Sequence, residues 1–130
     1  MMTDPIADML TRIRNAGSSG HKWADIPVSK LKTEIANLLK DNYFIHDYKV
    51  LEDNNFGLLR VYLKYHEDGP IIRHLERVSR PGRRHYVSVD EIPRIRSGLG
   101  IAILSTSQGL MSGRTARQQG MGGELMAVIW

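Results

Sequence analysis

Ser105, Thr106 and Ser107 stand in a row at the end of the apolar run Ile101-Ala102-Ile103-Leu104, ahead of Gln108-Gly109. Three successive hydroxyls are poor packing material, because a buried hydroxyl without a partner costs free energy. Facing outward at a strand end, they suit ribose hydroxyls and base edges in a wide, shallow RNA groove. Upstream lies an arginine-dense segment, Arg77-Val78-Ser79-Arg80-Pro81-Gly82-Arg83-Arg84-His85-Tyr86. Pro81-Gly82 predicts a tight turn that crowds Arg80, Arg83 and Arg84, and crowded guanidiniums make best sense opposite phosphates. Tyr86, two residues past Arg84, shares its strand face. It either stacks on a base, worth roughly 1–3 kcal/mol, or sits in the core with its hydroxyl at the surface. Gly122-Gly123-Glu124 allows close backbone approach beside a carboxylate that can accept from exocyclic amines or orient an arginine. The plainer reading of that triplet is a turn and a surface charge.

Charge supports a polyanion partner. Residues 1–70 carry nine Lys/Arg against ten Asp/Glu, whereas residues 71–130 carry nine against four. Every basic residue in the second set is arginine, the side chain that grips phosphate with two parallel hydrogen bonds and stays charged. A merely solvated basic face would be expected to include lysine. With no cysteine, thiolate metal sites and a cysteine nucleophile are excluded. No apolar run approaches the length a membrane span needs, and Asp4-Pro5 interrupts any signal-peptide pattern at the N-terminus. The expectation is a cytoplasmic protein with no membrane association.

Catalysis is the competing class: a phosphoester-processing enzyme built on the Ser/Thr loop and the arginines. Against it, the chain lacks a nucleophile-elbow pattern and a glycine-rich phosphate loop ending in Lys-Ser/Thr. The five histidines show no paired metal-ligand spacing. No enzyme, cofactor, metal or small-molecule substrate is expected.

The elements that must hold these residues read as an α+β chain of two small lobes, residues 1–68 and 69–130. In the first, Asp4-Pro5 has an N-cap and first-turn pattern, and Ile6, Met9, Leu10 and Ile13 recur at helical spacing until Ala16-Gly17-Ser18-Ser19-Gly20. Ser29 predicts a second helix with Leu31, Ile35, Leu38 and Leu39 inward and Lys32 outward, closed by Asp41-Asn42. Residues 44–50 and 58–65 predict a hairpin turned at Asp53-Asn54-Asn55, and Tyr65 falls on the side of Leu59, Val61 and Leu63. Trp23 belongs to a loop or edge strand near Ile26. Glu67-Asp68-Gly69-Pro70 reads as the boundary. The second lobe predicts strands near 71–79, 84–89, 101–105 and 124–130, a short helix over 90–95, and another capped by Ser112 and running through Gln119. The run Leu125–Trp130, apolar on both faces, predicts a central strand.

Several ordered blocks carry a resemblance. They are residues 3–15 (Thr3-Asp4-Pro5-Ile6-Ala7-Asp8-Met9-Leu10-Thr11-Arg12-Ile13-Arg14-Asn15), Ser29-Lys30-Leu31-Lys32, and residues 77–82. Gly98-Leu99-Gly100-Ile101-Ala102, residues 105–109 and Gly120-Met121-Gly122-Gly123-Glu124 complete the set. In these the chain resembles the bacterial-type family of the eighth small-subunit ribosomal protein, over essentially its full length, with the hallmark between Gly100 and Arg117. The resemblance implies a primary binder of the central domain of small-subunit rRNA that supports assembly, beside neighbouring ribosomal proteins. It implies rRNA contacts at Ser105, Thr106, Ser107, Gly122, Gly123, Glu124 and Tyr86, with Arg84 nearby. A first-lobe contact would use Thr3, Pro5, Arg14, Ser29 and Lys30. Some members also repress their own operon's message, a second RNA partner by the same likeness. The chain departs from its relatives at Gly113, where aspartate is frequent and glycine is expected to weaken helix capping. At Glu76 a negative charge precedes the basic turn. Residues 17–25 and the hairpin around Asn54 match nothing diagnostic.

Overall fold

The computed structural model describes residues 3–53 and 56–130, so Asn54 and Asn55 of the expected turn lie outside the described residues. The chain forms two compact units: a proximal one, Asp8–Arg73, and a distal one of His74–Trp130 with the segment ending at Ala7. Helices and antiparallel sheets alternate through both, an α+β fold.

Helix α1 (Pro5–Ser18) starts where expected. The Asp4 carboxylate accepts from the Ala7 amide at 3.1 Å, and proline at the first helical position has no amide to leave unpaired. The helix continues through Ala16-Gly17-Ser18 before His21 N–H closes it on the Ala16 carbonyl at 2.9 Å. Met9, Leu10, Ile13 and Ala16 are buried at three- and four-residue spacing.

Strand β1 (Trp23–Pro27) leads to helix α2 (Lys30–Asp41), whose N-cap Ser29 accepts from the Lys32 amide at 3.2 Å. The buried stripe of α2 is Lys32, Ile35, Ala36 and Leu39, and Leu31 is exposed. Ile35 and Leu39 are inward as expected, whereas Leu31 and Lys32 exchange places. A lysine occupies the inward row because its stem is apolar and its ammonium reaches the Pro27 carbonyl at 3.0 Å. Strands β2 (Ile45–Asp53) and β3 (Phe56–Leu63) complete an antiparallel sheet ordered β1-β3-β2. Its inner face carries Ala24, Ile26, Leu59 and Val61, all buried. On the other face Arg60 binds Asp25 through two hydrogen bonds, 2.9 and 3.1 Å, and lies 4.5 Å over the Trp23 ring. Tyr65 leaves the alternation: it sits exposed in β4 (Tyr65–His66), which pairs with β5 (Gly69–Pro70), so Glu67 and Asp68 form the tip of that small hairpin.

The distal sheet is ordered β6-β10-β8-β9, with β7 also on β10. Its strands are β6 (Leu75–Arg77), β7 (Tyr86–Val87), β8 (Ile101–Thr106), β9 (Gly109–Ser112) and β10 (Gly123–Ile129). Strand β10 is central, as its two-faced apolar run predicts. Strand β9 was not expected; it turns Ser107-Gln108 into the tip of a β8–β9 hairpin closed at Thr106 and Gly109. The short helix expected over 90–95 is only a 3-10 turn, Val89–Glu91, capped reciprocally by Ser88 and Glu91. It stops there because Ile92 precedes Pro93 and is held extended (φ −64°, ψ 120°).

Helix α3 (Gly113–Gln118) packs Ala116 with Ile92, Ala102, Leu104, Met111, Leu125 and Val128. Its cap is intact despite Gly113, because Ser112 accepts from the Thr115 amide at 3.3 Å. Gly113 has a packing reason instead: a Cβ there would come within 2.9 Å of the Ile92 methyl and 3.3 Å of Ala102.

Candidate nucleic-acid interface

The distal sheet sets the expected residues side by side. Strands β6 and β7 lie along the same edge of β10, pairing with Ala127–Ile129 and Gly123–Glu124 respectively. Between them the chain leaves β10 and returns, and that excursion is the arginine turn. Arg80 and Arg83 exchange both backbone hydrogen bonds at 3.0 Å around Pro81-Gly82. Arg80, Arg83 and Arg84 are exposed, and the side chains of Arg80 and Arg83 have no ion-pair partner among the described residues. Thr3, assigned by resemblance to a first-lobe contact, instead lines a 290 Å³ hollow with Asp4 and residues 80–83.

Register then builds a row. Tyr86 on β7 and Ser105 on β8 both stand opposite Glu124 on β10, and directly paired residues share a sheet face. Tyr86 is 69% exposed, which settles its two readings in favour of an outward ring. Ser107 is exposed at the hairpin tip. The hydroxyls of Ser105 and Ser107 have no hydrogen-bond partner among the described residues, so a nucleophilic reading of Ser105 lacks its base. Thr106 differs from its neighbours: its hydroxyl donates to the Gly109 carbonyl at 2.8 Å and accepts from the Gln108 amide at 3.2 Å, shaping the turn.

The glycine pair works inward. A Cβ on Gly122 would lie 2.4 Å from the Val87 carbonyl oxygen, and one on Gly123 would lie 2.4 Å from that of Ser105. The close approach these glycines permit is to the chain's own β7 and β8 backbones, which brings Tyr86 and Ser105 up to Glu124.

Glu124 is the electrostatic centre. Its Oε2 accepts from the Ser79 hydroxyl at 2.5 Å and from Arg84 Nη1 at 3.0 Å. Burial pushes this carboxyl up, but the Ser79 hydroxyl and the Arg84 guanidinium outweigh it and hold it below its ordinary value of 4.5. A lowered carboxyl stabilises the fold above that ordinary value, and the gain is lost as pH falls through the lowered one. Glu124→Gln should therefore cost stability at neutral pH and flatten the acid limb of a stability–pH profile; an unchanged limb would contradict the assignment.

Two residues carry more than the sequence suggested. Ser79 is fully buried, and only its place inside an arginine motif could have flagged it. Arg77 belongs to the same motif but faces inward: its Nε meets both Asp4 carboxylate oxygens at 3.1–3.2 Å and its Nη1 donates to the Met126 carbonyl at 2.7 Å. It offers nothing to phosphate.

In the proximal unit Arg14 is exposed on α1, and Ser29 and Lys30 are exposed at the start of α2. Pro5, assigned by resemblance to the first-lobe contact, is exposed as the first residue of α1 but falls within the distal unit. No cluster of His, Asp or Glu fit to hold a metal occurs among the described residues, and no described helix is long and apolar enough to cross a membrane.

A family model described as Ribosomal protein S8 matches residues 4–130. Small ribosomal subunit protein uS8 of Geotalea uraniireducens is 56% identical over 130 residues, covering 99% of this chain and 98% of that protein. The protein of the same name from Natranaerobius thermophilus is 55% identical with the same coverage. That of Geobacillus kaustophilus is 54% identical over 131 residues, covering 100% and 99%. Matched along almost its whole length by the family's model and at more than half identity by its members, the chain belongs to the ribosomal protein S8 family, whose members are structural ribosomal proteins and not enzymes.

Proposed function

We propose that this protein binds the central domain of small-subunit rRNA and supports assembly of the small ribosomal subunit in the cytoplasm. The observation that carries the reading is the row of Tyr86, Glu124 and Ser105 across three strands, flanked by the exposed Arg80–Arg84 turn. A ring, a fixed acceptor and partner-free hydroxyls address bases and 2′-hydroxyls, while the guanidiniums address phosphates. Arg14, Ser29 and Lys30 supply a second contact, and Thr3 joins the arginine side. Gly122 and Gly123 take part by holding the row together. Neighbouring ribosomal proteins are the protein partners, and the operon message is bound to the extent that it mimics the rRNA site.

The test is selectivity. An rRNA central-domain fragment should bind far more tightly than an equally charged duplex, and equal affinity would overturn the proposal. Two variants divide the contacts further. Ser107→Ala should reduce that preference at unchanged salt dependence. Arg83→Ala should weaken binding to every RNA and lower the salt slope by about 1. Arg84→Ala should do both, because its guanidinium also holds Glu124. Identical signatures for Ser107 and Arg83 would refute the division.

A further inference from the structure

Ser79 lies at the neck of the arginine turn, and the backbone around it forms a closed circuit. The Ser79 amide donates to the Leu125 carbonyl at 3.0 Å, and the Leu125 amide donates to the His85 carbonyl at 2.9 Å. The His85 amide donates back to the Ser79 hydroxyl oxygen at 3.0 Å. Two links are main chain to main chain; the third needs this one hydroxyl. The same hydroxyl sends its proton to Glu124 Oε2. One fully buried side chain thus joins the outgoing arm of the turn, the returning arm just before Tyr86, and the carboxylate in the middle of the row.

We infer that Ser79 is a positioning residue for the RNA-facing surface: its hydroxyl clamps the neck of the arginine turn and fixes Glu124 so that Oε2 is committed to the protein and Oε1 is left to the ligand. The assignment rests on the rRNA-binding reading for its consequence, though not for its geometry. Alanine would leave the His85 amide without its acceptor in a part-buried place, and Glu124 with Arg84 as its single side-chain partner among the described residues, a guanidinium that is itself half exposed. An untethered Glu124 no longer presents Oε1 at a fixed place between Tyr86 and Ser105. The lowered titration of Glu124 fits the same arrangement, since a donor to the ionised form favours it.

The experiment reads Glu124 and the RNA separately. Carboxyl resonances of the full chain are followed against pH in wild type and Ser79→Ala, and affinities for a central-domain rRNA fragment are measured in a cycle with Glu124→Gln. Glu124 should titrate at higher pH in Ser79→Ala. Affinity should fall about tenfold, the worth of a hydrogen bond to a charged group, with little change in salt slope. In the Glu124→Gln background the Ser79→Ala loss should shrink sharply, because both changes act through one carboxylate. If Ser79→Ala does not fold, Ser79→Cys keeps the volume with a weaker donor and should shift the titration the same way. An unmoved titration, or losses that add fully, would overturn the inference. Should the wild-type protein show no preference for the rRNA fragment, the functional proposal fails instead, and the titration still decides whether Ser79 governs Glu124.

Discussion

Arg77→Ala should lower the stability of the distal unit by about 3 kcal/mol, the lower end of what breaking a buried ion pair costs. The Arg77 side chain is 5% exposed and that of Asp4 is 20% exposed, so the surviving carboxylate keeps some water and the full range is not expected. Three hydrogen bonds vanish together, and Asp4 retains its capping bond to Ala7. The Met126 carbonyl keeps its bond from the Val78 amide. Urea unfolding followed by amide signals of the distal unit measures the loss; a change below about 1 kcal/mol would show that the pair is incidental. Replacing both partners, Arg77→Met with Asp4→Ala, should recover part of the loss, because a matched apolar pair carries no desolvation penalty. RNA binding by Arg77→Met should keep the wild-type salt slope, which separates this arginine from Arg80 and Arg83.

Gly123→Ala should destabilise the sheet by about 1–3 kcal/mol and abolish the preference for rRNA. Two effects oppose each other here. Removing a glycine from a strand normally stabilises by roughly 0.5–1 kcal/mol through the unfolded state. Against that, the new methyl would sit 2.4 Å from the Ser105 carbonyl oxygen and 3.3 Å from the Thr106 Cα. Those are backbone atoms of strand β8, with Ser105 paired on both sides, to β10 and β9, so they cannot rotate away as a side-chain end would. The clash wins, and the strand carrying Ser105 is pushed from Glu124. Thermal unfolding and the affinity ratio for rRNA over duplex check both halves. An alanine variant as stable and as selective as wild type would mean that the close approach serves nothing.

The proposed contact residues were legible because their chemistry is unusual for a solvated surface. Consecutive hydroxyls, an all-arginine basic half and a Pro-Gly turn are local facts, and the blocks matching a known family are local too. Elements with strong periodicity were equally readable: α1 from Asp4-Pro5, the strand of β10 from its two apolar faces. Errors fell where two local patterns compete. On α2, Leu31 looked inward and Lys32 outward, yet the two exchanged places because Lys32 can bury its stem and still reach the Pro27 carbonyl. Strand β9 was hidden because Gly109 to Ser112 is too short and mixed for periodicity to mark.

By itself, the sequence determined the class of partner: side-chain charge, hydroxyl content and turn chemistry belong to residues wherever the chain takes them. Which arginines are exposed to such a partner was decided only by tertiary structure. Arg77 and Arg80 lie three positions apart in one motif, yet one is buried on Asp4 and the other exposed at a turn. The same holds for Ser79, Glu124, Tyr86 and Ser105, brought together from distant stretches by pairing with β10. Burial and register depend on what lies across the sheet, and no local pattern of residue types contains that information.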